Sequence, residues 1–371
     1  MAGNKKGKIG LNIIIPSYRA EIYFLSSIFE LEKPEYLDVL YILVIDNPAI
    51  EISSELNKLI DKFDVCLAIN KENLGAAGAR NVGIDLATKE WILFLDDDIV
   101  PEDNLLFVYG EVLKQSENNI GYFGVTMFPK PINSFTKGII TSDILTFFSI
   151  ARYVDKLSWG VTANLLIRRS SIGEYRFQNI FPKFGGGEDI DFCLRITKRE
   201  NKKFKSVPEA IVHHPWWMNG KRSYTRFQRW AFGDSRLPNL HPEHKYRNFP
   251  NIMELILFAI IFTIVYGILM RDFWIFPITI GGILIGEYIG EYGKLLILGK
   301  TRSPILALES VLIRASNDFG RLKSNMLRGH ITGITERFDY FCDRVHIRSE
   351  RMWALIKLIS IGIVILGIVI L

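Results

Sequence analysis

Three consecutive carboxylates, Asp96, Asp97 and Asp98, follow a short apolar stretch, Trp91–Leu95, and are well suited to metal chemistry. An apolar stretch of this length that ends in a polar turn predicts a buried strand. The adjacent acids repel one another, and a divalent cation relieves that repulsion because Mg²⁺ and Mn²⁺ prefer oxygen ligands. Since Mg²⁺ takes its remaining ligands from water and substrate phosphates, the segment predicts a cradle for a metal ion and a diphosphate. A solvated acidic turn is the alternative.

Two more polar residues follow predicted strands earlier in the chain. Ser17 comes after the apolar stretch Leu11–Ile15, and Asp46 comes after Val39–Ile45. With a third strand at Val65–Ile69 and helices between them, the alternation predicts an α/β fold with a mostly parallel sheet. Ligands bind beyond the carboxyl ends of such strands, where these residues and the three acids converge. Each polar residue taken singly is also a common turn former.

A segment of small residues, Asn73–Asn81 (NLGAAGARN), predicts the start of a further helix. Gly75 and its small neighbours allow close approach, and a helix N-terminus favours anions. Asn73 and Arg80 add a polar group and a charge. Close packing of the helix on the sheet, with Arg80 on the surface, accounts for the pattern equally well.

Four segments in this order, IIIPSYR, VIDN, NLGAAGARN and FLDDDIVP, resemble the family 2 glycosyltransferases of the GT-A fold. The resemblance covers roughly residues 9–235 and implies an α/β GT-A nucleotide-diphospho-sugar transferase domain. It implies that Asp96 and Asp98 hold Mg²⁺ or Mn²⁺. The implied donor-binding residues are Pro16, Ser17, Tyr18, Asp46, Asn73, Gly75, Arg80, Asp96 and Asp97.

A glycine-rich turn, Phe184–Gly187, leads to Glu188, Asp189 and Asp191 at a predicted helix start. Helix starts favour acids for capping, which accounts for one of the three. Transfer of a sugar to a hydroxyl with inversion needs a general base within hydrogen-bond reach of the nucleophile. The resemblance implies that Asp189 is this base and that Glu188 contacts the acceptor.

Further site residues follow from the later part of the chain. The resemblance implies a metal-binding His after the last strand, and His213 is preferred to His214 because the predicted strand ends there. Each of them can instead be a hydrogen-bonded loop residue. The candidate acceptor-binding residues are Trp159, Asn164, Trp216 and Trp217. Core packing is slightly favoured for Trp159, and the Trp pair forms either a lid or a contact with a membrane.

The stretch Tyr224–Trp230 is similar to the Gln-x-x-Arg-Trp motif of processive polysaccharide synthases, but it lacks the two-residue spacer. Arg226 and Arg229 are candidates to neutralise a diphosphate leaving group. An amphipathic helix whose charges face water or lipid headgroups is the alternative. The missing spacer argues against processivity.

Composition limits the other classes of protein. A net charge of +5 without a basic stripe of interleaved aromatic residues predicts no nucleic-acid partner. Cys66, Cys193 and Cys342 have neither a zinc spacing nor a disulfide framework, which fits a reducing compartment. The apolar stretch that ends at Pro16 is too short for a signal-peptide core, so we expect the N-terminal domain to be cytosolic.

Three apolar runs, 252–270, 273–289 and 354–371, predict an α-helical membrane region after the catalytic domain. Residues 291–353 hold 11 Lys and Arg, which the positive-inside rule places in the cytosol. Within them, 305–313 and 324–341 have the pattern of interfacial helices, with packing on the catalytic domain or oligomerisation as alternatives. The predicted domains are 1–250, 251–290, 291–353 and 354–371.

Together these features predict an integral membrane protein with a cytosolic, metal-dependent, inverting glycosyltransferase domain. Its partners would be a nucleotide-diphosphate sugar, a lipid-linked or polysaccharide acceptor, the membrane and, as an open point, a second copy of the chain. A polyprenyl-phosphate sugar synthase and a processive polysaccharide synthase are the rival enzymes. A membrane scaffold without activity is the rival from another class.

Overall fold

A computed structural model describes residues 7–115, 118–271, 273–341 and 343–370. The chain divides into two compact units. The first consists of Met1–Lys130 and Thr146–Asn219, and the second consists of Pro131–Leu145 and Gly220–Leu371. The predicted boundaries at residues 250, 290 and 353 fall inside the second unit and stay predictions.

The first unit is built on a mixed sheet. In chain order its strands are β1 (Ile9–Ser17), β2 (Leu37–Ile45), β3 (Cys66–Ile69), β4 (Trp91–Leu95), β5 (Val100–Pro101), β6 (Gly121–Met127), β7 (Lys156–Leu157), β8 (Asn164–Arg168) and β9 (Phe204–His213). Their order in the described sheet is β3-β2-β1-β4-β8-β6-β9-β5, and β7 also pairs with β9. The half β3-β2-β1-β4 is wholly parallel, whereas β8 runs antiparallel to β4 and β6.

The parallel half explains why the early strands have continuous apolar sequences. Strand β1 lies between β2 and β4, and its residues Leu11, Ile13, Ile14 and Ile15 are fully buried. Parallel strands covered on both faces are apolar along their whole length. The sequence-based prediction of an α/β fold with a mostly parallel sheet is therefore confirmed.

The helices of both units follow the chain in this order. They are α1 (Ile22–Phe29), α2 (Ser54–Phe63), α3 (Gly75–Leu86), α4 (Leu105–Lys114), α5 (Ser134–Thr141), α6 (Arg169–Ile172), α7 (Glu188–Glu200), α8 (Thr225–Asp234), α9 (Leu237–Leu240), α10 (Ile252–Met270), α11 (Ile275–Ile297), α12 (Pro304–Leu327) and α13 (Arg344–Ile370). Short 3₁₀ turns lie at Thr146–Arg152, Trp217–Gly220, Pro242–His244 and Ile331–Gly333. Helices α5 and α8–α13 belong to the second unit.

Two helices of the second unit, α10 and α13, are long and apolar enough to cross a membrane, judged by length and composition among the described residues. Helix α10 contains the first predicted apolar run, and α13 contains the third as far as Ile370. The second run lies mostly in α11, which extends eight residues past residue 289 and is not one of these two helices. Its added length includes the charged residues Glu291 and Lys294.

The acid within the first apolar run has a defined partner. Glu254 lies in the first turn of α10, where Asn251 and Glu254 cap the helix reciprocally. The Glu254 carboxylate also accepts two hydrogen bonds from Arg337, at 3.0 and 2.8 Å, and both side chains are buried. Arg337 belongs to strand β11 (Glu336–Phe338), which pairs with β10 (Lys245–Arg247). The buried charge is therefore compensated by a bidentate ion pair.

The predicted interfacial segments require a correction. The helix expected over residues 305–313 is part of α12 and continues to Leu327. The expected pattern at 324–341 is not one helix, because Gly329 has a left-handed backbone (φ +66°) just beyond α12. The chain then enters β11, whose hydrogen bonds to β10 replace those of a helix.

Candidate active site

The carboxyl ends of β2, β1 and β4 lie side by side in the sheet and bring the predicted polar residues together. The Asp46 N–H donates to the Ser17 carbonyl oxygen at 2.7 Å, which joins two of these ends. The Ser17 hydroxyl donates to Asp97 at 2.5 Å, which joins the third. The sheet order therefore places the acids beside the ends of the first two strands.

Asp46 fixes the start of α3. Its Oδ1 accepts hydrogen bonds from the Asn70 side chain and from the Leu74 N–H, each at 2.8 Å, and its side chain is buried. Next to it, the Asn73 side chain accepts from the Gly75 N–H at 2.9 Å. The small-residue segment thus begins a helix whose first turn is tied to the end of β2.

Gly75 meets the glycine-rich turn that precedes α7. Its φ is +77°, and a Cβ atom there would lie 2.8 Å from the Lys183 backbone. The Lys183 ammonium donates to the Asn73 carbonyl oxygen at 2.6 Å. A side chain at residue 75 is excluded by both backbone conformation and space, so the small-residue segment packs directly on Lys183, the residue before the glycine-rich turn.

Arg80 is buried and does not lie on the surface. Its Nη2 donates to Asp96 at 2.8 Å, and its Nη1 lies 3.6 Å from Glu188. Burial lowers the pKa of Arg80, but the charges of Asp96 and Glu188 outweigh it and the net direction is upward. The guanidinium therefore stays charged and links the acidic motif to the start of α7.

The Asp97 carboxylate faces Ser17 at the end of β1. The pKa of Asp97 is raised to about 6. Burial is the largest cause, the hydrogen bond from Ser17 lowers the pKa, and the two neighbouring carboxylates raise it further. Because Ser17 also accepts from the Ala20 N–H at 2.9 Å, it orders the turn after β1 at the same time. Asp97 thus holds the acidic loop against the sheet.

Asp98 faces His214. The imidazole Nε2 lies 3.2 Å from Asp98 Oδ1, while Nδ1 lies 2.6 Å from the Pro215 carbonyl oxygen. Since a carbonyl oxygen only accepts, Nδ1 carries a proton, and the remaining nitrogen faces the carboxylate. Burial lowers the pKa of His214, but the contact with Asp98 raises it, and the net direction is upward.

The neighbouring His213 points elsewhere. It is half exposed and its Nε2 lies 3.2 Å from Glu102. The structure thus places His214, and not His213, beside Asp98, and the metal-binding role expected for His213 stays a prediction. His213 ends β9 opposite Val100, whereas His214 is the first residue beyond the strand, with its side chain on the Asp98 side.

The acids at the start of α7 have three different environments. Glu188 accepts from the Gly186 N–H at 2.6 Å in addition to its contact with Arg80. Asp191 is buried and pairs with Arg195 at 2.9 Å. Asp189 is half-buried and accepts from the Ile190 N–H at 2.9 Å. Of the three, Asp189 has the greatest exposure.

The predicted acceptor-binding residues are mostly internal. Asn164 is buried and joins β8 to its neighbours, since it donates to Val125 and Ala210 and accepts from the Tyr109 hydroxyl at 2.6 Å. Trp159 is buried against Phe147. Both side chains are buried, and Asn164 uses its amide within the sheet, so the acceptor role expected for the two residues stays a prediction.

Trp216 and Trp217 differ in their surroundings. Trp216 is buried against Phe128 and donates to the Lys130 carbonyl oxygen at 3.3 Å. Trp217 is half-buried, and its indole N–H donates to His214 Nε2 at 3.2 Å. Trp217 is therefore the one of the pair that touches the candidate site.

The remaining predicted residues are distributed as follows. Pro16 is buried within β1, and Tyr18 is exposed just beyond it. Arg226 and Arg229 are exposed on α8, in the second unit. Cys66 and Cys193 are free thiols, and Cys342 lies outside the described residues.

Sequence reasoning missed two polar residues of the site. Arg19 lies 3.5 Å from Asp98, and Asn70 donates to Asp46. Asn70 directly follows the predicted strand Val65–Ile69, and Arg19 stands four residues after Leu11–Ile15. Their position at the carboxyl edge of a parallel sheet was the signal that could have found them.

Within residues 7–115, 118–271, 273–341 and 343–370, no three His, Cys, Asp or Glu side chains are arranged so as to hold a metal ion by themselves. The pair Asp98–His214 nevertheless offers a carboxylate oxygen and an imidazole nitrogen 3.2 Å apart. A divalent cation that takes its other ligands from phosphates and water needs few protein ligands. This pair is compatible with such an ion.

Comparison with known proteins agrees with this arrangement. The model of glycosyl transferase family 2 matches residues 12–176. The amylovoran biosynthesis glycosyltransferase AmsB of Erwinia amylovora is 27% identical over 217 residues, which cover 56% of this chain and 69% of that protein. An uncharacterized glycosyltransferase of Haemophilus influenzae is 31% identical over 213 residues, which cover 52% of this chain and 70% of that protein.

Among solved structures, the crystal structure of S. aureus TarS 1–349 aligns with a TM-score of 0.44 and 13% identity, over 86% of this chain and 92% of that one. The family match and the curated relatives decide the class: the chain belongs to the family 2 glycosyltransferases, and its sheet domain is of the GT-A type.

Proposed function

We propose that the protein is a membrane-anchored, metal-dependent, inverting glycosyltransferase. It moves a sugar from a nucleotide-diphosphate donor to a hydroxyl of a lipid-linked glycan or a polysaccharide. The observation that carries this proposal is the position of Arg80 between Asp96 and Glu188. One side chain spans the acidic motif and the start of α7, so a donor at the acids lies within reach of a base at α7.

The donor would lie along the carboxyl edge of the sheet. Ser17, Asp46 and the start of α3 line the nucleotide side, and Asp98 with His214 would hold Mg²⁺ or Mn²⁺ together with diphosphate oxygens. Bound there, the cation supplies positive charge that stabilises the diphosphate leaving group. Asp96 keeps Arg80 in place, and Asp97 anchors the loop through Ser17.

Asp189 would act on the acceptor. Its carboxylate takes the proton of the acceptor hydroxyl as the oxygen attacks the anomeric carbon from the face opposite the diphosphate. The new carbon–oxygen bond forms while the bond to the diphosphate breaks, and the nucleoside diphosphate leaves with that electron pair. Greater exposure than Glu188 and Asp191 supports the choice of Asp189.

A glycan acceptor is supported by a relative whose name places it in amylovoran biosynthesis. Membrane anchoring is supported by α10 and α13, which have the length and composition of spanning helices. A catalytic domain fixed near a bilayer would meet acceptors that are themselves attached to lipid.

The metal proposal predicts the behaviour of Asp98→Asn. The amide is neutral and a poor ligand, so the variant should lose the Mn²⁺-dependent part of its nucleoside diphosphate binding. Calorimetric titration with a panel of nucleoside diphosphates, with Mn²⁺ and with EDTA, measures this loss and identifies the nucleobase of the donor.

Asp103→Asn is the matched control, because Asp103 is an exposed acid five residues further along the chain. It should bind like the unchanged protein. Equal affinity of Asp98→Asn and the control in Mn²⁺ would contradict the proposed metal site.

The base proposal predicts that Asp189→Asn binds the donor normally but transfers sugar to a hydroxyl acceptor about 10²–10⁴-fold more slowly, the usual contribution of a general base. Turnover and donor affinity are measured on the same preparation. If transfer to a phosphate acceptor is fast in both proteins, the enzyme is a polyprenyl-phosphate sugar synthase instead, because an anionic acceptor needs no base.

A further inference from the structure

Helix α12 exposes a line of large apolar residues and buries several of its polar ones. Its outward stripe is apolar, with Ile305 64%, Leu312 42%, Phe319 42% and Met326 55% exposed. These four residues recur every seven positions, so they form one line along the helix. Leu308, also exposed, extends the same face.

Several polar residues of α12 face inward and are bonded there. Glu309 is buried and accepts from the Tyr224 hydroxyl at 2.8 Å and from Arg222. Ser310 donates to Glu291 of α11 at 2.8 Å, and the buried Ser324 bonds to Ser235 at 2.7 Å. In a helix exposed to water, these side chains would be outside and the stripe inside.

Close packing on α8 and α5 fixes which side of α12 is outward. At Gly320 a Cβ atom would overlap the Gln228 carbonyl oxygen of α8, and at Gly138 of α5 it would overlap the Glu309 side chain. Both contacts lie within the second unit. Since backbones approach this closely only without side chains, α12 cannot rotate to bury the stripe.

Helix α11 repeats the arrangement. Glu287 and Glu291 are buried and pair with Lys357 of α13 at 2.5 and 3.0 Å, whereas Leu284, Ile285 and Ile289 are exposed. Lys357 thus joins α11 to a helix that has the length and composition of a membrane span. The apolar outer face of α11 therefore belongs to a helix that packs on a candidate membrane helix.

We propose that α12 lies in the lipid boundary of the membrane, with the stripe Ile305, Leu308, Leu312, Phe319 and Met326 inserted among the acyl chains of a bilayer that carries anionic headgroups. A helix of 24 residues, roughly 36 Å long, suits a position in the plane of the interface. The exposed cations Arg302 and Lys323 lie near its two ends and complement anionic lipid. This inference rests on the membrane anchoring proposed above.

The test uses the full chain in vesicles that contain phosphatidylglycerol. Leu312→Cys and Phe319→Cys, in a background without the native cysteines, carry an environment-sensitive fluorophore. Leu86→Cys is the matched control, because Leu86 is a 38% exposed leucine on α3 of the first unit. The labels at 312 and 319 should be blue-shifted and quenched by lipids with nitroxide acyl chains, while the label at 86 is quenched by aqueous iodide.

Two outcomes overturn the proposal. Iodide quenching at 312 and 319 equal to that at 86 means that the stripe faces water. Protection from both quenchers, with cross-linking of two chains through the thiol of the Leu312→Cys variant, means that a second copy covers the stripe. Neither outcome depends on nucleotide binding, so failure of the proposed enzymatic function is measured separately, by titration.

The unaltered chain gives a second measurement that needs no cysteine replacement. Vesicles with a phospholipid that carries a photoactivatable acyl chain should form adducts on peptides from Pro304–Leu327. Peptides from Gly75–Leu86 should form none. Adducts on neither peptide, with adducts present on α10 or α13, would contradict the proposal.

Discussion

At the scale of single residues, the proposed metal site depends on which partner His214 Nε2 binds. In the neutral imidazole, whose Nδ1 proton is held by the Pro215 carbonyl, one lone pair remains, on Nε2. Trp217 donates to that nitrogen at 3.2 Å, and Asp98 lies at the same distance. A cation bound to Nε2 would take the lone pair that now accepts from Trp217, so the two compete.

The competition predicts that Trp217→Phe binds Mn²⁺ with a nucleoside diphosphate more tightly than the unchanged protein. The indole hydrogen bond, worth about 0.5–1.5 kcal/mol, no longer has to be broken, which corresponds to about a two- to tenfold lower dissociation constant. Calorimetry in Mn²⁺ measures the change.

Trp216→Phe makes the same chemical change one residue earlier, where the indole bonds to Lys130 and not to His214. It should leave the affinity for Mn²⁺ unchanged. Weaker binding by Trp217→Phe than by this control would show that Trp217 assists the ion and does not compete with it.

At the scale of elements, the start of α10 shows how an apolar helix tolerates an acid. Glu254 caps the helix with Asn251 and forms a bidentate ion pair with Arg337 of β11. Strand β11 is short, so the ion pair contributes much of what connects it to α10. The charge that interrupts the apolar sequence therefore connects α10 to β11 through an ion pair.

Replacement of Arg337 by Met should destabilise the second unit by about 3–5 kcal/mol, because it leaves the Glu254 carboxylate buried without its partner. Thermal unfolding in detergent, followed by circular dichroism, measures the loss.

Lys62→Met removes one member of an exposed pair, Lys62–Glu30, whose charged atoms are 3.5 Å apart. An exposed pair contributes only about 0–1 kcal/mol, so this control should unfold almost like the unchanged protein. An equal and small effect of both substitutions would mean that Glu254 finds other partners.

At the scale of the whole molecule, the chain combines a catalytic unit of the GT-A type with a second unit that holds both candidate membrane helices. The last of these, α13, contains the third apolar run of the sequence as far as Ile370, and α10 contains the first. Two separate helices with the properties of membrane spans should hold the protein more firmly than either alone.

Removal of residues 354–371 should therefore weaken the membrane attachment without abolishing it, because α10 remains. Extraction of membranes with alkaline carbonate, followed by detection of the chain in pellet and supernatant, measures this. A truncated chain found wholly in the supernatant would show that α10 does not span.

The sequence alone determined much of the first unit. Strands β1 and β4 are recognisable because a parallel strand covered on both faces is apolar along its length. Ligands bind at the carboxyl ends of such strands, so the sequence alone assigns Ser17, Asp46 and the three acids to one edge of the sheet. The family could be recognised from the same segments, since their order is fixed by the order of the strands.

Only the tertiary structure decided which partners these residues have. Arg80 could be a surface residue or an internal one, and its burial between Asp96 and Glu188 depends on contacts over more than 100 residues of chain. His213 and His214 are adjacent in sequence, and the end of the strand pairing at residue 213 decides which one faces Asp98. Likewise, an amphipathic pattern in α12 shows that the helix has two faces, but packing at Gly320 decides that the apolar face is the outer one.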